Sequence, residues 1–165
     1  MTEKELINKA EKVVSDLKKQ NLSLGVAESC TGGWLSKIIT EVSGVSAIYN
    51  GGICSYSNEI KIKLLGVNPE TLRLYGAVSE QTAKEMANGA RTALNSDIGV
   101  GITGIAGPKS DDTLKPVGLI YIAVADGCNT IVKELRNNFT DEIRLNNRLS
   151  AVETALNLLG GLNEK

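Results

Sequence analysis

The segment LSLGVAESCTGGWLSKII, residues 22–39, decides the fold of this chain of 165 residues. Residues 22–27 form a short apolar run that follows a turn, and such a run predicts a β-strand. From Gly32 to about residue 41, the apolar residues Trp34, Leu35, Ile38 and Ile39 recur at helical spacing and predict an α-helix. A strand therefore passes into a helix through a short connection of small and hydroxyl-bearing residues.

Strands and helices also mix along the rest of the chain. Amphipathic patterns and helix start and stop signals predict helices over residues 2–20, 58–65, 79–94 and 141–159, and a further helical turn over 69–74. Runs of β-forming residues predict strands over 47–56 (with a bulge at Gly51 and Gly52), 98–103, 117–126 and 130–139. The last two are joined through Gly127 as a hairpin. The mixture predicts an α/β fold, a single-domain mixed β-sheet covered by helices, over residues 1–165.

The amino-acid composition excludes several kinds of active site. The chain contains no histidine, so a Ser-His-Asp triad, a Cys-His dyad and a zinc site built on histidine are ruled out. Proton transfer at neutral pH would then fall to Lys, Tyr, Asp, Glu, Cys or water. The three cysteines, Cys30, Cys54 and Cys128, form no CxxC pair, which argues against a metal site and fits a reducing compartment.

The charge balance and the hydropathy limit the partners that we expect. The formal net charge is -1, whereas proteins that bind nucleic acid regardless of its sequence usually carry a basic excess. No apolar run approaches the roughly 20 residues of a membrane span, and the first residues are too polar and acidic for a signal peptide. We therefore expect a cytoplasmic protein that binds neither nucleic acid nor membrane.

The first candidate site is the connection ESCTGG, residues 28–33. Unpaired backbone N–H groups at the start of a helix favour a phosphate or a developing oxyanion, so Thr31, Gly32 and Gly33 could bind one. Ser29 is a possible nucleophile that needs a base, and Cys30 is another, because a helix N-terminus favours the thiolate. The same pattern also fits an N-cap with a tight turn and a packed core thiol.

The second candidate site is YSNEIKIK, residues 56–63, where a predicted strand runs into a helix. A lysine shielded from water loses its proton near neutral pH, so Lys61 could act as a base toward a serine. Tyr56 could donate a hydrogen bond or orient that lysine, and Asn58 belongs to the same segment. A solvated helix face is the alternative interpretation, and it is the one we favour for Lys63.

Two further segments carry candidate binding residues. Small residues at the exit of the strand before 104 would let a ligand approach the backbone, with Thr103 offering a hydroxyl beside Gly104. The GxGxxG match over 99–104 is not followed by a helix, so it does not predict a dinucleotide site. Arg144 and Arg148 are four residues apart on the last predicted helix, so both could grip a phosphate, although surface charges have the same spacing.

Taken together, these motifs resemble one protein family, the CinA C-terminal domain. The resemblance rests on seven ordered motifs spread over about residues 5–160: AESCTGG (27–33), YSNEIK (56–61), LLGV (64–67), GAVSEQTAKEMANGAR (76–91), GITGIAGP (101–108), KPVG (115–118) and IR…AVETAL (143–156). Stand-alone members of that family include deamidases of nicotinamide mononucleotide (NMN). The resemblance therefore implies an amidohydrolase that converts NMN to nicotinic acid mononucleotide and ammonia in the recycling of NAD.

The resemblance also implies roles for individual residues. Ser29 would be the nucleophile and Lys61 the base of a Ser–Lys pair, with Tyr56 and Thr103 in support and Arg144 holding the phosphate. It implies a homodimer and a reaction that needs neither cofactor nor metal. The alternative function in another class is a non-catalytic domain that binds a nucleotide or takes part in interactions linked to competence or DNA damage.

The chain departs from the family pattern at two places. The arginine before the last helix usually follows a phenylalanine in the pattern F-x-G-x-R, whereas here Phe139 leads to Arg144 one residue later, so Arg148 could share or replace its role. After GIAGP the family often has a glycine-rich stretch, and this chain has KSDDT, residues 109–113. We expect this more polar loop to change how the ribose or the phosphate is held.

Overall fold

The secondary structure alternates between helices and strands through most of the chain. The structure is a computed structural model that describes residues 2–110 and 113–163. Its principal elements are α1 (Glu3–Gln20), β1 (Leu24–Glu28), α2 (Trp34–Thr40), β2 (Tyr49–Cys54), α3 (Asn58–Leu65), α4 (Pro69–Tyr75), α5 (Glu80–Ala93), β3 (Ile98–Gly104), β4 (Leu119–Ala125), β5 (Thr130–Arg136) and α6 (Ile143–Gly160).

The five strands form one mixed sheet in the order β2-β1-β3-β4-β5. Strands β2, β1 and β3 are parallel, whereas β4 and β5 pair antiparallel, so the predicted α/β class and the predicted hairpin are confirmed. The connection after β1 leads to β2 on one side, and the chain after β3 leads to β4 on the other side. The carboxyl ends of β1 and β3 therefore form a topological switch point, the place where open α/β sheets bind ligands.

Helices cover both faces of the sheet. Helices α1, α2 and α6 enclose the larger core, which is built from buried aliphatic side chains such as Leu6, Val14, Leu35, Ile38, Ile102, Ile120 and Leu156. Helix α5 covers the other face with small side chains, and its N-cap Ser79 accepts a hydrogen bond from the N–H of Thr82. No helix among the described residues is both long and apolar enough to cross a lipid bilayer.

Two glycines of β3 let α5 pack directly against the sheet. A Cβ added at Gly99 would lie 2.0 Å from the carbonyl oxygen of Ala87, and one at Gly101 would lie 2.5 Å from that of Ala83. Both distances are far below van der Waals contact, so this seam of glycines against α5 tolerates no side chain. The sequence analysis assigned the small residues of this segment to a ligand; at Gly99 and Gly101 the space is filled by a helix.

Two predicted boundaries differ from the observed ones. Helix α2 begins at Trp34 rather than Gly32, because Gly32 and Gly33 adopt left-handed backbone angles, with φ of 61° and 91°. The strand predicted over 47–56 is shorter, since a turn of 3₁₀ helix occupies Val45–Ala47 before β2. The predicted irregularity in β2 is present, because Leu24 pairs with Tyr49 while the next residue of β1 pairs with Gly51.

Candidate active site

A cavity of about 210 Å³ opens at the switch point, over the carboxyl ends of β1, β2 and β3. Seven of the twelve sequence-predicted site residues, from four segments of the chain, meet there. Its lining comprises Ser29, Cys30, Tyr56, Lys61, Ala77, Val78, Thr103, Gly104, Ile105, Ala106, Gly107, Lys109 and Arg144. The parallel pairing of β1 with β2 and β3 is what brings these segments to one edge of the sheet.

The centre of this cavity is a direct contact between Ser29 and Lys61. Ser29 follows β1, and its N–H donates to the carbonyl oxygen of Ile102 at 3.0 Å, which fixes the start of the turn. The Nζ of Lys61 lies 3.1 Å from the Oγ of Ser29. The same Nζ donates to the carbonyl oxygen of Ser55 at 2.6 Å, and this second hydrogen bond fixes the position of the amine. A serine and an amine at this distance can exchange a proton.

The environment of Lys61 shifts its protonation equilibrium toward the neutral form. Only 1% of the residue is exposed, and burial lowers the pKa of its amine from 10.5 to about 8. Its hydrogen-bond partners are a hydroxyl and a carbonyl, neither of which carries a charge. A buried amine without a carboxylate is the arrangement expected of a general base that works near neutral pH.

Glu28 is a structural residue beside the site that the sequence analysis did not single out. Its carboxylate is 1% exposed and accepts hydrogen bonds from the N–H of Leu35 at 3.0 Å, the N–H of Ser36 at 2.9 Å and the Oγ of Ser36 at 2.8 Å. It therefore occupies the first free donors of α2, where the helix dipole favours a negative charge. The signal in the sequence that could have indicated this role is the position of Glu28 between the predicted strand and the two glycines.

The three residues after Cys30 shape the turn and do not line the cavity. Thr31 is fully buried, and the N–H of Gly32 donates to the carbonyl oxygen of Ser29 at 3.1 Å. Gly33 lies close to β2, where an added Cβ would be 3.3 Å from the Sγ of Cys54. Because Glu28 takes the N–H groups at the start of α2, that helix terminus is not available to a ligand, contrary to our expectation.

Cys30 lines the cavity, but its thiol is poorly suited to attack. The residue is only 6% exposed, and burial raises the pKa of the thiol to about 12, with the charge of Glu28 adding to the effect. The sequence analysis allowed a thiolate at this position because a helix N-terminus lowers a thiol pKa. Burial outweighs that effect here, so the thiol stays protonated at neutral pH, and the geometry favours Ser29 as the nucleophile.

Tyr56 and Thr103 stand on opposite sides of the cavity. Tyr56 is 65% exposed at the mouth, and its hydroxyl accepts a hydrogen bond from Nη2 of Arg144 at 3.2 Å. The hydrogen-bond partner of this hydroxyl is thus an arginine and not Lys61. Thr103 is buried, and its Oγ1 donates to the carbonyl oxygen of Ala77 at 2.7 Å. The hydroxyl of Thr103 can therefore only accept a hydrogen bond from a ligand.

Only one of the two predicted arginines reaches the cavity. Arg144 lines it, and its Nη1 donates to the carbonyl oxygen of Gly107 at 2.9 Å. Arg148 instead lies 4.8 Å above the ring of Trp34 and donates to the carbonyl oxygen of Thr31 at 2.7 Å. It borders a separate cleft with Gly32, Gly33, Trp34 and Lys37. Arg144 is therefore the arginine placed to meet a bound anion.

Two remaining positions complete the account of the predicted site. Gly104 lines the cavity, and an added Cβ would lie 2.7 Å from Cγ1 of Ile120, so close packing against β4 leaves no room for a side chain. Asn58 is the exposed first residue of α3 and is not part of the lining. The described part of the chain contains no group of three or more His, Cys, Asp or Glu side chains that could hold a metal ion.

The ionisable side chains known to line the cavity are mostly basic. Three basic side chains line it, Lys61, Lys109 and Arg144, and none of the lining residues that the structure describes is an Asp or a Glu. The chain as a whole has a net charge of -1, so this concentration of cations is a local property. Lys109 was named in the sequence analysis only as part of a polar loop. A positive cavity of this kind favours an anionic ligand.

Comparison with known proteins gives a consistent result. Residues 7–162 match the family model described as the CinA C-terminal domain. A putative competence-damage inducible protein of Acetivibrio thermocellus is 54% identical over 116 residues, which cover 70% of this chain and 28% of that protein. One of a Thermoanaerobacter species is 47% identical over 153 residues, which cover 92% of this chain and 37% of that protein. This chain thus spans about a third of the length of these relatives.

Solved structures of similar length match over nearly the whole chain. The competence/damage inducible protein CihA of Agrobacterium tumefaciens is 38% identical with a TM-score of 0.91, over 99% of this chain and 97% of that one. A CinA superfamily protein of Klebsiella pneumoniae is 30% identical with a TM-score of 0.90, over 97% of this chain and 99% of that one. The sheet, the helices and their connections are therefore shared with these proteins.

Proposed function

This chain belongs to the CinA C-terminal domain family, and from that premise we propose that it hydrolyses the carboxamide of NMN to give nicotinic acid mononucleotide and ammonia. The observation that carries the proposal is the buried amine of Lys61, 3.1 Å from the hydroxyl of Ser29, in a cavity whose described lining residues include no carboxylate. A Ser–Lys pair performs acyl transfer without histidine, which this chain lacks.

In the proposed reaction, neutral Lys61 takes the proton of Ser29 as Oγ bonds to the carboxamide carbon. The carbonyl oxygen becomes an oxyanion, and its collapse expels ammonia, which leaves with the proton held by Lys61. A water molecule then attacks the acyl-enzyme, gives its proton to Lys61, and releases the carboxylate as Ser29 is reprotonated. The fixed positive charge of the pyridinium ring helps to keep Lys61 neutral while substrate is bound.

Backbone donors next to the nucleophile would stabilise the oxyanion. The N–H of Ser29 is already donated to Ile102, and that of Gly32 is donated to Ser29. We therefore assign the role to the N–H group of Cys30, the next residue that lines the cavity, rather than to the helix terminus. In enzymes of known mechanism, one such donor lowers the barrier by about 3 kcal/mol.

The lining of the cavity supports a carboxamide and a phosphate as the two groups recognised. Thr103 can only accept a hydrogen bond, so it matches the NH₂ of a carboxamide and not the carboxylate of the product. This difference favours release of the product after hydrolysis. Arg144 at the mouth supplies the charge and the paired N–H groups that suit a phosphate.

The test is ammonia release from NMN by the wild type, Ser29→Ala and a matched control. We expect the wild type to release ammonia and Ser29→Ala to lose at least about 10³-fold in kcat, because the nucleophile is removed. Ser43→Ala, which changes an exposed serine outside the cavity, should keep full activity. Full activity of Ser29→Ala would overturn the proposed mechanism.

One observation favours the alternative of a domain that binds a nucleotide without turning it over. The pKa of Lys61 is about 8, so roughly a tenth of the molecules hold a neutral amine at pH 7 when no ligand is bound. A domain of this kind would be stabilised by NMN against heat but would release no ammonia from it at any pH. Catalysis requires both responses.

We further propose a cytoplasmic homodimer, without nucleic-acid or membrane partners and without a cofactor. All three cysteines are free, which suits a reducing compartment. Large apolar side chains such as Leu74 and Tyr75 are 60% and 48% exposed, and a second copy could cover them. Light scattering on the eluting protein measures the oligomeric state, and a monomer at micromolar concentration would contradict this part of the proposal.

A further inference from the structure

The segment that follows β3 brings a second cation, in addition to Arg144, to the mouth of the cavity. Residues 105–107 line the cavity, and Lys109 follows them after Pro108 with its side chain exposed at the rim. The carbonyl oxygen of Gly107 accepts the hydrogen bond from Nη1 of Arg144 at 2.9 Å. The loop that carries Lys109 is therefore tied directly to the guanidinium of Arg144.

Neither cation forms an ion pair with a described residue that lines the cavity. Arg144 donates to a carbonyl oxygen and to the hydroxyl of Tyr56, and both partners are uncharged. Lys109 forms no ion pair with any residue in the described ranges 2–110 and 113–163. Glu142 borders the neighbouring groove beside Arg144 but does not line this cavity. Two positive charges are thus left facing the same opening.

We propose that Lys109 binds the substrate's phosphate together with Arg144, and that it makes this chain selective for a phosphorylated substrate. The inference rests on the proposed function and adds a residue to it. A phosphate monoester carries a charge of about -1.5 to -2 at pH 7, and one guanidinium balances only part of it. Arg144 offers a planar pair of donors, whereas the ammonium of Lys109 is a point charge on a flexible stem that can reach a remaining oxygen.

The sequence context agrees with a role that is particular to this chain. The family often has glycines after GIAGP, and glycines offer backbone donors without charge, whereas this chain has Lys109 followed by Ser110. Asp111 and Asp112, which come next, lie outside the described residues. Lys109 thus adds a charge where a glycine-rich loop would supply none.

Binding to an inactive protein tests this inference without relying on turnover. Isothermal titration of Ser29→Ala with NMN and with nicotinamide riboside gives the preference for the phosphorylated ligand as a ratio of affinities. We expect Lys109→Gln, added to Ser29→Ala, to lower that ratio about tenfold, since one charge-assisted hydrogen bond is lost. Affinity for the riboside should change less than twofold, and Lys109→Arg should restore most of the ratio.

Lys63→Gln is the matched control, because it removes the same charge from an exposed lysine of α3 outside the cavity. It should change the ratio less than twofold. An unchanged ratio in Lys109→Gln, an equal fall in Lys63→Gln, or no preference for NMN in the parent protein would each overturn the inference. Absence of ammonia release by the wild type would overturn only the proposed catalysis, because the binding ratio is measured independently.

Discussion

Two ionisable side chains are buried to the same degree at the carboxyl end of the parallel strands, but they differ in how many hydrogen bonds they form. Glu28 and Lys61 are each 1% exposed. The carboxylate of Glu28 accepts three hydrogen bonds at the N-terminus of α2, whereas the amine of Lys61 contacts one hydroxyl and one carbonyl. Hydrogen bonds offset the cost of burying a charge, whereas a buried amine with few partners has a shifted pKa, which is common at functional sites.

The two residues are also connected through the backbone. The carbonyl oxygen of Glu28 accepts a hydrogen bond from the N–H of Ser55 at 2.8 Å, and the carbonyl oxygen of Ser55 accepts one from Lys61. The residue that shapes the turn after β1 thus also helps to fix the peptide that holds the amine. The following predictions separate the two roles, starting from the largest expected effect.

Replacing Lys61 should reduce activity strongly while leaving the protein at least as stable. We expect Lys61→Met to lower kcat for ammonia release about 10³-fold, because the general base is lost. Methionine fills a similar volume without a buried charge, so the melting temperature at pH 7 should rise by about 2–4 °C, which corresponds to about 1 kcal/mol. A fall in stability greater than about 1 kcal/mol would show that Lys61, like Glu28, mainly supports the fold.

The pH dependence of activity should follow the lowered pKa of Lys61. Below about pH 8 its amine is protonated, so kcat/KM should fall about tenfold for each unit of decreasing pH. Initial rates of ammonia release between pH 5.5 and about 9 measure this fall in kcat/KM. Activity that stays constant well below neutrality would contradict the assignment of Lys61 as the base, since the chain contains no histidine to replace it.

The same pKa predicts how the stability difference between Lys61→Met and the wild type changes with pH. Between pH 8 and 10.5 the unfolded chain holds a proton on Lys61 that the folded protein has lost. The stability conferred by this group therefore rises with pH across that window, and below pH 8 its unfavourable burial is fully present. Denaturation of both proteins should show the advantage of Lys61→Met shrinking as the pH rises, and an unchanged difference would contradict the lowered pKa.

Removing the charge of Glu28 should have the opposite effect on stability. Glu28→Gln replaces one acceptor oxygen by an NH₂ that faces the donors of α2, so we expect the free energy of unfolding to fall by about 2 kcal/mol. The midpoint of urea denaturation measures this loss. Glu59→Gln, which changes an exposed carboxylate in the first turn of α3, should cost less than about 0.5 kcal/mol. Equal losses of stability in Glu28→Gln and Glu59→Gln would show that Glu28 contributes no more than an exposed charge at a helix end.

The smallest effect is expected at Cys30, beside the nucleophile. Cys30→Ala removes a thiol that burial keeps protonated, so kcat should change less than about threefold. Mass spectrometry after iodoacetamide treatment at pH 7.5 should show labelling of Cys128, which is exposed, well before Cys30. Loss of activity in Cys30→Ala, or rapid inactivation of the wild type by iodoacetamide, would indicate that the thiol and not Ser29 is the nucleophile.

The sequence predicts the elements of this fold better than their contacts. The apolar run over 22–27 was enough to predict a strand, and the apolar residues that recur every 3.6 positions after it were enough to predict a helix. Both are local patterns. The meeting of Ser29 with Lys61, 32 residues away, depends on the parallel pairing of β1 and β2, which no local spacing encodes. Only the motifs taken together, through their resemblance to a family, indicated that pair.

Residues whose roles depend on distant partners were missed or misread. Glu28 binds donors seven and eight residues later, and the turn that makes this possible is set by two glycines in left-handed conformation. Lys109 has the sequence context of a surface lysine, and only the path of the loop brings it to the cavity. Gly99 and Gly101 fit either a ligand or a packed helix, and tertiary packing decides between them.

The seam between those glycines and α5 has a consequence for how substrate range can evolve. It sets the distance of α5 from the sheet, and Thr103 at the end of β3 binds the carbonyl oxygen of Ala77 just before that helix. This side of the cavity is therefore a fixed wall, in which a larger side chain would displace a whole helix. The opposite side is a loop that can change in length and composition without disturbing the core. We therefore expect a change in the shape of the cavity to come from that loop rather than from the wall that β3 and α5 form.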